Sequence, residues 1–137
     1  MWKFYALLSA FFAALTAILA KVGVKGINGN VATAIRTAVV LFLAWGIVLC
    51  AGQMKEIKDL SRTNWMFLVF SGIATGLSWI FYFKALETGD VSKVAPIDKL
   101  SVVFVMILSF ILLKEHMDFK TIAGGLLILC GALVLVL

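Results

Sequence analysis

Four ionisable residues fall inside apolar stretches of this chain: Arg36, Lys84, Asp98 and Lys99. Ionisable groups in hydrocarbon are expensive, so they face a partner or a cavity and mark binding or transport sites. Arg36 lies five residues into its stretch and Asp98 four residues into another. At a helical rise of 1.5 Å per residue these are depths of about 7–8 Å and about 6 Å. Tracing the chain puts all four charges on one side of a membrane. Asp98 and Lys99 are adjacent and project about 100° apart on a helix, so they are not expected to pair with each other. Arg36 is the natural partner for Asp98. Polar stripes surround these charges: Thr33, Arg36 and Thr37; Thr75, Trp79 and Tyr82; Asp98, Ser101, Val105 and Ser109. Three such stripes in so apolar a chain predict a lined cavity. The candidate substrate-binding residues are Arg36, Trp79, Tyr82, Asp98, Lys99 and Ser101.

Each candidate also has a plainer reading. Lys84 and Lys99 have long apolar stems and can snorkel to the headgroups. Arg36 with Asp98 is also readable as a structural ion pair, the lesser of its two readings. Pro96 fits the first turn of a helix, where proline is tolerated, or a local break that frees carbonyls toward a cavity. Cys50 and Cys130 sit in apolar runs with no metal-site spacing and read as reduced packing residues. The chain has no P-loop, HExxH, GxSxG or Cys/His cluster, and its one histidine, His116, lies between stretches. No enzyme, metal or cofactor is expected.

The elements that position these residues follow from composition. Of 137 residues, 64% are hydrophobic and 14% charged, and the mean hydropathy is +1.13. Soluble domains run at roughly 45–50% apolar and about 25% charged. A small soluble domain has too much surface for its volume to hide this much apolar area. Disordered chains are poor in hydrophobes, so disorder is excluded as well. The net charge of +5 comes from basic residues scattered beside apolar runs, the placement of membrane anchors rather than of a nucleic-acid surface.

A helix needs about 20 apolar residues to cross a hydrocarbon core. Five stretches qualify: 4–20, 31–51, 65–86, 94–113 and 121–137. They predict an all-α, polytopic bundle in a single domain over 1–137. Alternating segments of about ten residues, the mark of a membrane β-barrel, are not seen. The first stretch has the outline of a signal peptide, with Lys3 ahead and small residues near Ala20, but four further spans follow it. Ser61 and Asp118 stand where helix N-caps are expected. Trp2 and Trp65 stand at expected membrane surfaces. Small residues mark close packing: Ser9, Ala13, Thr16 and Ala20; Gly72 and Gly76; Gly124 and Gly131.

At this point the chain resembles a family. Gly76, the run Tyr82 to Leu86, Val94 to Pro96, Leu112 to Glu115, the run Thr121 to Ile128 and Gly131 are similar to the second part of an EamA-type domain of the drug/metabolite transporter superfamily. Lys21 or Lys25 and the run Ile35 to Ala38 match its front part more loosely. The resemblance covers the whole chain and implies a five-helix repeat with a transport role. Most members carry two such repeats in inverted topology, and this chain has one. Small multidrug exporters of the superfamily use a glutamate in their first helix, and 4–20 contains no acid.

The expected function is secondary transport of a small anionic or zwitterionic metabolite through alternating access, in the cell (inner) membrane. The charge balance, three basic residues against Asp98, disfavours an organic cation. The rivals are a non-transporting structural or accessory subunit and a lipid-linked sugar flippase. A single repeat recovers the inverted plan by pairing with an oppositely inserted copy, so an antiparallel homodimer is expected. Orientation follows the Lys/Arg bias of short loops. Lys3, Lys55, Lys58, Arg62, Lys114 and Lys120 stand on one side, and Lys21, Lys25, Arg36, Lys84, Lys93 and Lys99 on the other. That balance suits dual insertion. Discounting the embedded Arg36, Lys84 and Lys99 would favour one orientation, with a parallel pair or a related partner as the fallback.

Overall fold

The computed structural model describes residues 1–137, which form helices and no strand. Helix α1 runs Trp2–Gly23 and α2 runs Gly29–Cys50. A 3-10 turn at Gln53–Asp59 leads into α3, Arg62–Thr88. Then come α4 (Val91–Asp98), α5 (Ser101–Leu112) and α6 (Phe119–Val136). Five helical spans are long and apolar enough to cross a membrane, with Val91–Leu112 counted as one. Large side chains such as Phe42, Leu127 and Val134 are about three-quarters exposed, a surface that only lipid or another apolar body can cover. The protein is a multi-pass, all-α membrane protein.

The helix ends have local causes. Asn28 caps α2, its side chain accepting from the Asn30 N–H at 2.8 Å. The link before it turns at Gly26, whose φ of +77° lies in the region that favours glycine. Gly52, at φ +69°, ends α2, its N–H donating to the Leu49 carbonyl at 3.1 Å. Ser61 and Asp118 both act as expected. The Ser61 hydroxyl accepts from the Asn64 N–H at 3.2 Å, and Asp118 accepts from the Thr121 N–H at 3.0 Å. The Asp118 carboxyl also takes the Thr121 hydroxyl, and these bonds hold it below the usual carboxylate range. Trp2 opens α1 and Trp65 lies in the first turn of α3, both largely exposed.

The expected fourth helix, 94–113, is a span of two pieces. Pro96 stands six residues into α4, beyond the first turn, and has no N–H to give the Ser92 carbonyl. The backbone then tightens. Leu100 bonds the Ile97 carbonyl at 2.9 Å, Val102 the Lys99 carbonyl at 3.0 Å and Val103 the Leu100 carbonyl at 3.0 Å, all to the third residue back. The proline therefore sits at a break rather than in a helix start.

The chain divides into two units, Leu19–Glu87 and Met1–Ile18 with Thr88–Leu137. In the first, α2 starts against the last turns of α3. Gly29 is buried there, and a Cβ on it would lie 2.8 Å from Glu87 Oε1 and 3.3 Å from the Phe83 backbone carbon. Ala32, Thr33, Phe83 and Leu86 are buried around it. In the second unit α4 and α5 both pack on α6. The close approach is made by Gly125, where a Cβ would lie 2.7 Å from the Met106 sulfur. Gly124 and Gly131, expected at packing faces, have nothing within 4 Å, and neither have Gly72 and Gly76.

Candidate functional site

In the Leu19–Glu87 unit, α2 carries Arg36 and α3 carries Trp79 and Tyr82. Arg36 is half-buried, and its guanidinium lies over the Trp79 ring, 4.4 Å from the centroid. The Phe83 ring is 5.5 Å away. Trp79 and Phe83 stand four apart on α3, so both rings turn to the same neighbour. A guanidinium over an indole face is attracted by the ring quadrupole, worth about 0.5–1 kcal/mol when exposed and about 2 when desolvated. The partner that holds Arg36 is thus aromatic. Tyr82 meets Phe83 edge to face, with centroids 6.5 Å apart. Phe83 was not among the candidates, because an apolar residue in a membrane span carries no signal of its own. Its spacing from Trp79 was the available clue.

The hydroxyls of the polar stripes have local uses. Thr33 donates to the Gly29 carbonyl at 2.8 Å, Thr37 to the Thr33 carbonyl at 2.7 Å and Thr75 to the Ser71 carbonyl at 2.9 Å. Each bonds its own helix four residues back, which spends the donor and leaves the lone pairs. Lys84 is exposed.

In the other unit, Asp98 ends α4 and Ser101 begins α5, with Lys99 between them. Lys99 Nζ lies 3.4 Å from Asp98 Oδ2. This corrects the expectation that the two would not pair. The two stand at the end of α4, where the break after Pro96 begins. The pair is solvent-accessible, with side chains 58% and 39% exposed, so its net worth is small. Ser101 is exposed.

A second cluster, outside the expected site, lies at the ends of three helices in the Leu19–Glu87 unit. Lys21, in the last turn of α1, donates to the Leu86 carbonyl of α3 at 2.5 Å. Glu87 accepts the Gly29 N–H at the start of α2. The first bond places a cation on a helix C-terminus and the second an anion on a helix N-terminus, each favourable to the helix dipole. A cleft of about 440 Å³ opens beside them, lined by Lys21, Val24, Lys25, Gly26, Ile27, Leu86 and Glu87.

The EamA-like transporter family matches over residues 1–137. The chain is 48% identical over 134 residues to a Sinorhizobium protein described as an uncharacterized transporter in the cobO 3′ region, across 98% of this chain and 95% of that protein. It is 31% identical over 85 residues to an uncharacterized transporter of Synechocystis, across 61% of this chain and 24% of that longer protein. No solved structure matches the chain.

Proposed function

The chain belongs to the EamA-like transporter family, and from that premise we propose that it carries a small anionic or zwitterionic metabolite across the inner membrane. The observation that carries this reading is Arg36. It is a permanent cation inside a membrane span, held by ring faces rather than neutralised by an acid. Such a group keeps its charge and its donors available to a carboxylate or phosphate, and it repels organic cations. Trp79 and Tyr82 then offer ring faces and a hydroxyl beside the anion. Asp98, Lys99 and Ser101 form the other part of the proposed binding set, at the break where regular helix gives way, as discontinuous transporter helices do.

The transport unit is an antiparallel homodimer that works by alternating access. The equal division of basic residues between the two sides supports it. Gly72 and Gly76, a small-residue pair on α3 with nothing packed on it, supports it too. Flux tests the proposal. Proteoliposomes holding only this protein are expected to take up a labelled carboxylate or amino acid from a screened set, and to ignore quaternary amines. Uptake of hydrophobic cations alone would overturn the substrate class. No flux of any solute would favour the accessory-subunit reading. Single cysteines at Lys25 and Lys58 test the dimer: both are expected to be partly labelled from outside intact cells, and labelling of only one rejects dual insertion.

A further inference from the structure

The cleft at the ends of α1 and α3 contains none of the residues proposed above for substrate, yet its charges are arranged. Two of them are fixed by neighbouring backbone. Lys21 is held on the Leu86 carbonyl and Glu87 on the Gly29 N–H. The third, Lys25, is exposed; its N–H bonds the Val22 carbonyl at 3.4 Å, and its ammonium takes part in no hydrogen bond or ion pair. Behind these heads lie Val24 and the fully buried Leu86, so the charges stand on a packed apolar floor. Gly26 leaves one side without a Cβ. The volume of about 440 Å³ falls within the usual range of about 300–1,000 Å³ for small-molecule sites.

We infer that this cleft binds an amphoteric small molecule, its anionic oxygen group at Lys25 and its ammonium at Glu87. The inference deepens the transport reading by adding a receiving subsite at a span end, and it rests on that reading for its purpose. The chemistry follows from the three heads. An anion alone would gain from Lys25 but meet the Glu87 carboxylate. A cation alone would gain from Glu87 but meet two ammonium groups. A molecule carrying both charges meets an opposite charge at each end. Glu87 already accepts one backbone N–H, and a carboxylate has about four lone-pair sites, so capacity remains for an ammonium. The same chemistry occurs in a soluble amino acid and in an ethanolamine lipid headgroup.

Lysine footprinting of the purified full chain tests the site. An acylating reagent is applied in detergent, and modification of Lys25 is read by mass spectrometry against exposed Lys58. The probes are N,N-dimethylglycine, isobutyrate and trimethylammonium, none of which consumes the reagent. Dimethylglycine is expected to slow Lys25 modification several-fold, isobutyrate less and trimethylammonium not at all. A second arm compares nanodiscs of dimethylphosphatidylethanolamine with phosphatidylglycerol discs. Protection in detergent identifies a soluble ligand, and protection confined to the dimethylphosphatidylethanolamine discs identifies a headgroup. No protection in either arm overturns the site, as does equal protection by isobutyrate. Glu87→Gln keeps an acceptor for the Gly29 N–H but loses the charge. It is expected to abolish the advantage of dimethylglycine over isobutyrate, and an advantage that survives overturns the role of Glu87. Carboxylate flux with Lys25 unprotected would reject the subsite and leave the transport reading standing. Protection without flux would do the reverse.

Discussion

In the Leu19–Glu87 unit, three charged groups find partners far along the chain. Lys21 and the Leu86 carbonyl are 65 residues apart, Gly29 and Glu87 are 58 apart, and Arg36 lies on rings from another helix. In the unit that holds Asp98, the carboxylate meets the next residue, Lys99, in an exposed pair at a helix break. The first arrangement fixes helix against helix, so disturbing one group disturbs two elements. The second is local and weakly held, so under the proposed function both groups exchange each other for the substrate. The same contrast holds for glycine. Gly29 abuts the Phe83 backbone as well as the Glu87 carboxyl, whereas Gly125 abuts only the movable end of Met106.

The largest expected effects are on transport. Arg36→Gln and Asp98→Asn each lower initial carboxylate uptake at least about tenfold, the consequence of losing about 1.4 kcal/mol of substrate binding. Lys84→Gln leaves uptake near the starting value. If Asp98→Asn keeps full uptake while Arg36→Gln loses it, the working charges belong to one unit alone. Next come the glycines. Gly29→Ala is expected to cost about 1–3 kcal/mol in detergent unfolding, since the Glu87 carboxyl must leave its place and the Phe83 backbone must shift. Gly125→Ala costs about 1 kcal/mol or less, since Met106 yields and alanine favours the helix. Equal losses would erase the distinction between a rigid and a yielding unit. Trp79→Leu removes a ring face worth about 0.5–2 kcal/mol, and Trp79→Phe retains part of it, read as thermal stability.

The smallest effect is the cap of α6. The Asp118 carboxyl titrates lower in the folded protein than in the unfolded chain, because Thr121 donates to its ionised form. Its stabilisation is therefore fully present above the unfolded value and is lost as pH falls through the folded one. Asp118→Asn should flatten the acid limb of the stability profile and leave stability at higher pH only slightly lower. An unchanged acid limb would remove Asp118 from the account.

The spans were legible because each is a long apolar run, and hydrocarbon thickness sets the length of such a run. The caps at Ser61 and Asp118 were legible because capping is local chemistry. The break after Pro96 was half legible. A proline announces lost bonding, but whether it falls in a first turn depends on where the helix begins, and α4 begins at Val91 rather than Val94. The partner of Arg36 was not legible. Charge invites an acid, and nothing local reveals that Trp79 and Phe83 present their rings to α2. The cluster of Lys21, Gly29 and Glu87 was missed for a related reason. All three fall outside the apolar runs that mark the spans in the sequence, where composition speaks only of turns, and their contacts are made across some 60 residues of chain.

The broken span has a consequence for biosynthesis. A regular span is complete as soon as its own residues have left the ribosome. This one is interrupted at Lys99 and Leu100, and α4 and α5 both lean on α6, which is made after them. The two pieces therefore wait in the translocon or at its lipid gate without their brace. The fourth crossing gains its packing partner only when the fifth has arrived, and an arrest of synthesis before Phe119 would leave it without that brace.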